Sequence, residues 1–187
     1  RQMSGSGALT KTGNGTLTLS GANTYTGSTT VSSGTLVVSS SGALGSATSG
    51  TTISDGAALR LSNVSYASAE ALSINGTGIA GGGALVNSGT SSYAGAITAT
   101  TNATINLGGG TLTVTGGLVK DGTVLTVRNG TLNVNSVGVS GSSANSDLVV
   151  DAATVSLNAA STYNGPTFIR NGGTLSATVA NALPTAN

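Results

Sequence analysis

Apolar and polar residues alternate in many short runs along the chain. The pattern is seen in Thr16-Leu17-Thr18-Leu19, in Leu59-Arg60-Leu61 and again in Leu132-Asn133-Val134. A period of two places alternate side chains on opposite faces of a β-strand. These runs therefore predict half-buried strands, with Leu, Val and Ile facing a core and Thr, Asn and Arg60 facing water.

The strands recur at a regular interval, which predicts how they are arranged. The tripeptide Gly-Thr-Leu occurs five times, at intervals of 19, 76, 20 and 43 residues. These intervals are close to one, four, one and two units of about 20 residues, the length of one coil of a solenoid. The five copies begin at Gly15, Gly34, Gly110, Gly130 and Gly173.

Composition supports an all-β fold with many turns. The chain holds 30 Gly and only 2 Pro, 37% of it is hydrophobic, and only 6% is charged. We expect one domain over residues 1–187, a right-handed parallel β-helix of about nine coils. The alternative is an antiparallel sandwich, because Asn-Gly and Asp-Gly turns also close hairpins.

The alternation also predicts which side chains point inward. We expect a core of Leu17, Leu19, Val31, Leu36, Ile53, Leu59, Leu61, Ile105, Leu107, Leu112, Val114, Leu125, Val127, Leu132, Val134, Val155, Leu157, Ile169 and Leu175.

A longer repeat overlies the coil repeat. Residues 19–31 align with residues 157–169 without a gap, and a weaker copy occupies residues 92–97. Each copy places a Tyr two residues before a Gly. The pairs are Tyr25 with Gly27, Tyr93 with Gly95, and Tyr163 with Gly165.

The run from Gly13 to Gly27, followed by Thr29-Thr30-Val31 and Gly34-Thr35-Leu36, resembles the passenger-associated transport repeat of autotransporters. The first copy spans roughly residues 8–45 and a diverged copy spans 148–184. The resemblance implies a β-helical segment of a longer passenger, exported to the bacterial cell surface by type V secretion. It marks as structural repeat positions Gly15, Leu17, Tyr25, Gly27, Gly34, Leu36, Tyr93, Gly95, Tyr163, Gly165 and Leu175.

Candidate chemistry is sparse. Without His or Cys, the chain lacks imidazole bases, thiols and disulfides, and its net charge of +1 gives no patch for nucleic acid. Asp147 and Asp151 would lie about 13 Å apart on one strand, beyond the roughly 5–9.5 Å of glycosidase carboxylates. A Ser–Lys pair through Lys11 or Lys120 would be coincidental. We expect no enzyme, metal site or cofactor, and solvated loop carboxylates at Asp55, Glu70, Asp121, Asp147 and Asp151.

We therefore expect an extracellular structural role, as a stalk or adhesin segment of a passenger. The alternative is a fibre subunit that stacks end to end. Neither terminus has a polar capping unit, so we expect the ends to meet neighbouring segments of the same chain or other copies. A weaker possibility is that Tyr25, Tyr93 and Tyr163 form a glycan-binding surface; the favoured interpretation is that they pack at corners. No segment is apolar enough to span a membrane as a helix.

Overall fold

The computed structural model describes residues 2–184 and consists almost entirely of short strands. A single 3₁₀ turn at Ile79–Gly81 is the one helical element in this part of the chain. The strands are β1 (Leu9–Lys11), β2 (Thr16–Leu19), β3 (Thr29–Val31), β4 (Gly34–Val38), β5 (Thr51–Ile53), β6 (Ala57–Ser62), β7 (Ser65–Tyr66), β8 (Leu72–Ile74), β9 (Leu85–Ser88), β10 (Thr90–Tyr93), β11 (Ile97–Ala99), β12 (Ala103–Asn106), β13 (Thr111–Val114), β14 (Leu118–Val119), β15 (Leu125–Val134), β16 (Val139–Ser140), β17 (Leu148–Leu157), β18 (Thr167–Arg170) and β19 (Thr174–Ala177).

Every strand pairing between described residues is parallel, so the antiparallel sandwich is wrong. One sheet has the order β1-β3-β5-β8-β11-β14-β16. The second sheet has two arms, because β15 and β17 each run on past a bend and pair along both halves. From β6 to β17 the chain thus winds along three faces in each coil, whereas the coils before β6 have strands on only two of them.

The solenoid completes about eight turns over the described residues, so the expected count of nine is not confirmed. In one arm of the second sheet, Ile105 pairs with Val127, which pairs with Val150, which pairs with Ile169. Side chains of one type therefore stack in ladders, at about 4.8 Å per coil.

Asn-Gly pairs turn the strand from one face to the next instead of closing hairpins. Asn129 lies inside β15 with φ 58°, and Asn171 separates β18 from β19 with φ 51°. Asn tolerates this left-handed backbone better than most residues. At these two positions the Asn-Gly pair therefore forms a corner of a parallel coil.

The core runs the length of the solenoid and matches the prediction at all but three of its positions. Leu17 and Leu175 are half-buried and pack against the core. Ile169 was predicted to be buried but is 51% exposed. It lies on β18, which among the described residues pairs with β17 alone, so no further coil covers its core side.

No helix in the described residues is long and apolar enough to cross a membrane.

Candidate functional site

The Tyr-x-Gly motif forms a corner of the coil, with the Tyr side chain buried inside. The Tyr25 hydroxyl lies 2.6 Å from Oγ1 of Thr29, and the Tyr163 hydroxyl lies 2.5 Å from Oγ1 of Thr167. Both contacts join residues four apart. In these two copies the motif is therefore Tyr-x-Gly-x-Thr, in which Thr satisfies a phenol that the core would otherwise leave unpaired.

The Gly of each motif lies where two coils approach too closely for a side chain. A Cβ on Gly27 would lie 2.5 Å from the backbone of Gly7 and Ala8. A Cβ on Gly165 would lie 2.5 Å from the carbonyl oxygen of Ser146, and one on Gly95 would overlap that of Glu70. The close spacing of the coils therefore requires Gly at these three positions.

The residue two places before each repeat Tyr ties neighbouring coils together. Asn23 donates from Nδ2 to the carbonyl of Ala43 (2.5 Å), and its Oδ1 accepts from the N–H of Met3 (2.8 Å). In the second copy, Ser161 Oγ accepts from the N–H of Val139 at 3.1 Å. The Asn spans three coils, whereas the Ser that replaces it makes one such bond.

The three repeat tyrosines are buried, so they present no surface to a sugar. Tyr25, Tyr93 and Tyr163 are each at most 4% exposed. The glycan surface considered for these residues is wrong, because their rings fill the solenoid interior.

The other repeat positions serve the coil backbone. Gly34 has φ 71°, and a Cβ there would overlap the carbonyl oxygens of Gly13 and Gly15. Gly15 itself is exposed, and a Cβ on it would meet nothing within 4 Å. Leu36 is fully buried in the core.

A polar cluster inside the solenoid is centred on Glu70. Its Oε1 lies 2.5 Å from the hydroxyl of Thr51, and its Oε2 accepts from the hydroxyl of Tyr66 at 2.8 Å. The Tyr93 hydroxyl donates to the Glu70 carbonyl at 2.9 Å. The Tyr66 and Tyr93 rings stack with centroids 5.3 Å apart and planes 14° from parallel.

The expectation of a solvated carboxylate is therefore wrong for Glu70, which is only 1% exposed. Burial raises the pKa of Glu70, and the hydrogen bonds from Thr51 and Tyr66 offset part of that rise. The sequence contained a usable signal: Tyr66 and Glu70 stand four residues apart, like Tyr25 and Thr29.

Glu70 makes stability depend on pH. Because its pKa is raised in the folded state, its stabilising effect is complete below its ordinary pKa near 4.5 and is lost as pH rises through the folded value. We expect Glu70→Gln to remove this loss, so that the variant gains on the wild type as pH rises from 4 to 8. Urea unfolding across that range measures it, with Asp55→Asn at an exposed turn as control. Parallel stability curves for wild type and Glu70→Gln would contradict the prediction.

The other acidic residues lie near the surface. Asp55 and Asp121 are exposed, and Asp147 is half-buried just before β17. Asp151 accepts from Arg170 Nη2 at 3.1 Å and from Asn171 Nδ2 at 2.5 Å. Between residues 2 and 184 the fold gathers no group of three acidic side chains that could hold a metal ion.

Two buried lysines donate hydrogen bonds to backbone carbonyls at corners of the coil. Lys120 donates to the carbonyl of Ser146 and stands 4.0 Å from the centre of the Tyr163 ring. Burial lowers the pKa of Lys120 to about 8, against an opposing effect of Asp147. Lys11 donates to the carbonyls of Thr12 (2.9 Å), Gly13 (2.6 Å) and Ser33 (3.1 Å). Each amine thus satisfies backbone oxygens.

The last coil presents an apolar face. Ile169 is 51% exposed, Leu183 is 40% exposed, and Leu175 is half-covered. In the first repeat copy, the residues aligned with them in sequence, Val31, Leu36 and Leu44, are at most 1% exposed. The difference arises because β5 and β6 cover the first copy, by pairing with β3 and β4. We call the surface of Ile169, Leu175 and Leu183 the last-coil face.

The fold is a parallel β-solenoid in which a Tyr-x-Gly-x-Thr corner occurs twice, once near each end. The family model described as "Passenger-associated-transport-repeat" matches residues 9–38 and 150–177. The chain thus carries two copies of this repeat, as the sequence resemblance predicted. No curated protein and no solved structure matched the chain.

Proposed function

We propose that the chain is a structural segment of an autotransporter passenger, exposed on the bacterial cell surface, where it acts as a stalk that holds other parts of the passenger away from the cell. The observation that carries the proposal is the pair of passenger-associated-transport-repeat copies on one continuous parallel solenoid. The chain has no catalytic role in this proposal.

The geometry suits a spacer. Eight strands succeed one another in one arm of the second sheet, from β2 to β18. Seven steps of about 4.8 Å make this ladder roughly 34 Å long. Each added coil lengthens the rod by the same step, and the winding we propose is right-handed, as parallel crossovers generally are.

The last-coil face supports a continuing stack. The two repeat copies share a sequence pattern, and in the first copy the next coil of the chain covers it. We propose that a further parallel β-coil covers the second copy in the same way. In a passenger that coil belongs to the neighbouring segment of the same chain.

A second candidate is a self-assembling extracellular fibre, in which the covering coil belongs to another copy. The same apolar face favours it, because burial of apolar area drives association. A contact between the end of one copy and the start of the next would be heterologous, and such contacts propagate into filaments unless they close into a ring.

Light scattering of purified residues 1–187 over a concentration series tests both candidates. We expect the mass to rise with concentration, and Ile169→Asp to hold the chain as a monomer, because a charge on the last-coil face would be buried unpaired. Asn145→Asp, which adds one charge in an exposed turn, is the control and should associate like the wild type. Open-ended growth favours the fibre, and limited association favours the passenger segment. A wild-type monomer at every concentration would count against an open face.

A further inference from the structure

A cleft lies on the outer face of the second sheet, beside Arg60. Its volume is about 320 Å³, and its walls include Thr35, Arg60, Ile79, Val86 and Asn106. Arg60 and Val86 are register partners on β6 and β9, so they are neighbours on the same outer row.

The far wall of the cleft is a loop held down on the sheet. Asn106 Nδ2 donates to the carbonyl of Gly82 at 2.7 Å, and Arg128 Nη2 donates to the carbonyl of Gly81. These bonds span 24 and 47 residues of sequence. They fix the 3₁₀ turn that carries Ile79, which is 42% exposed at the cleft.

The Arg60 guanidinium is available to a ligand. It is exposed and makes no hydrogen bond or ion pair to any residue between 2 and 184. Asp55, at the turn before β6, lies against Gly76 and makes no ion pair with Arg60. The first acidic residue reached from Arg60 along this outer row is Asp151, which is four strands, or about 19 Å, away from Arg60. That distance exceeds the Debye length of about 8 Å at physiological ionic strength.

We propose that this cleft binds a carboxylate-bearing sugar unit of an acidic polysaccharide. The planar guanidinium suits a carboxylate, which it can bind through two parallel hydrogen bonds. Ile79 and Val86 offer an apolar contact to the ring, and the Thr35 hydroxyl can bond a sugar hydroxyl. A volume near 300 Å³ is at the small end of ligand pockets, which suits one or two rings.

The position of the cleft argues against an extended peptide. Peptides that bind to sheets add a strand at an edge, where main-chain groups are free. This cleft lies on a sheet face, where β6 and β9 pair with each other and with β4 and β12. Recognition there depends on side chains and on the fixed loop.

Titration with trigalacturonate, followed by NMR, tests the proposal. We expect shifts at the amides of Arg60, Ile79 and Val86, and affinity roughly tenfold or more weaker in Arg60→Gln, since a charge-assisted bidentate contact is lost. Arg170→Gln is the matched control: it removes an outward Arg from the same row outside the cleft, and it should bind like the wild type. Both arginines are exposed, so both variants should fold.

The other ligands in the experiment decide the class. Neutral maltotriose should not bind, and an acidic tripeptide should bind at least tenfold more weakly than trigalacturonate. Equal affinity of wild type and Arg60→Gln would overturn the site, as would an absence of shifts at the cleft. If maltotriose bound as tightly as trigalacturonate, the proposed recognition of a carboxylate would be wrong. If the acidic peptide bound as tightly, the proposed recognition of a sugar would be wrong. The cleft and the last-coil face are separate surfaces, so either proposal can fail alone.

Discussion

Gly95→Ala should destabilise the solenoid by roughly 2–4 kcal/mol, because an added methyl group has no room between coils. A Cβ at this position would overlap the carbonyl oxygen of Glu70, which is backbone and cannot rotate away. Only a local separation of two coils would relieve the overlap, and that separation would weaken the parallel hydrogen bonds beside it. Urea unfolding followed by circular dichroism measures the effect.

Gly15→Ala is the matched control for this prediction. Gly15 also belongs to the repeat, but a Cβ there would meet nothing within 4 Å. We expect its stability to stay within about 0.5 kcal/mol of the wild type. If both substitutions had equal effects, the repeat would need Gly for its backbone conformation. The close approach of the coils would then not be the reason for Gly at these positions.

Leu44→Ala and Leu183→Ala should differ strongly, although the two leucines occupy the same position in the two repeat copies. Leu44 is 1% exposed, so truncating it leaves a cavity and should cost about 2–5 kcal/mol. Leu183 is 40% exposed, so its truncation removes less buried area and should cost about 1.5 kcal/mol or less in the monomer.

Differential scanning calorimetry of dilute samples measures both variants against the wild type. In concentrated samples, Leu183→Ala should weaken association instead, because its side chain lies on the last-coil face. Equal losses of stability in dilute Leu44→Ala and Leu183→Ala would mean that Leu183 is already covered in the monomer.

Strand alternation and coil spacing predicted most of the fold. Leu59, Arg60 and Leu61 show why alternation is informative: both leucines are fully buried and the Arg between them is exposed. The alternation predicts the direction of a side chain but not whether another coil covers it. That is why Ile169 points toward the core and is still half-exposed.

The interior polar cluster was missed for a different reason. The Tyr-x-Gly pattern does not mark Tyr66, because Ser68 stands where the motif has Gly. The Tyr66 hydroxyl donates to Glu70, which replaces the Thr of the Tyr25 and Tyr163 corners. The cleft beside Arg60 could not be predicted either, because it depends on hydrogen bonds from Asn106 and Arg128 to a distant loop.

Hydrogen exchange in an extended chain can test whether the last-coil face is built to receive another coil. Residues 184–187 would be replaced by residues 45–66, the segment that follows the equivalent Leu44 and covers the first copy. We predict slower exchange of the β18 and β19 amides that face away from β17, and loss of this protection when Ile169→Asp is added. Unchanged exchange in β18 and β19, with the added segment exchanging like an unfolded peptide, would contradict the stacking role of the last-coil face.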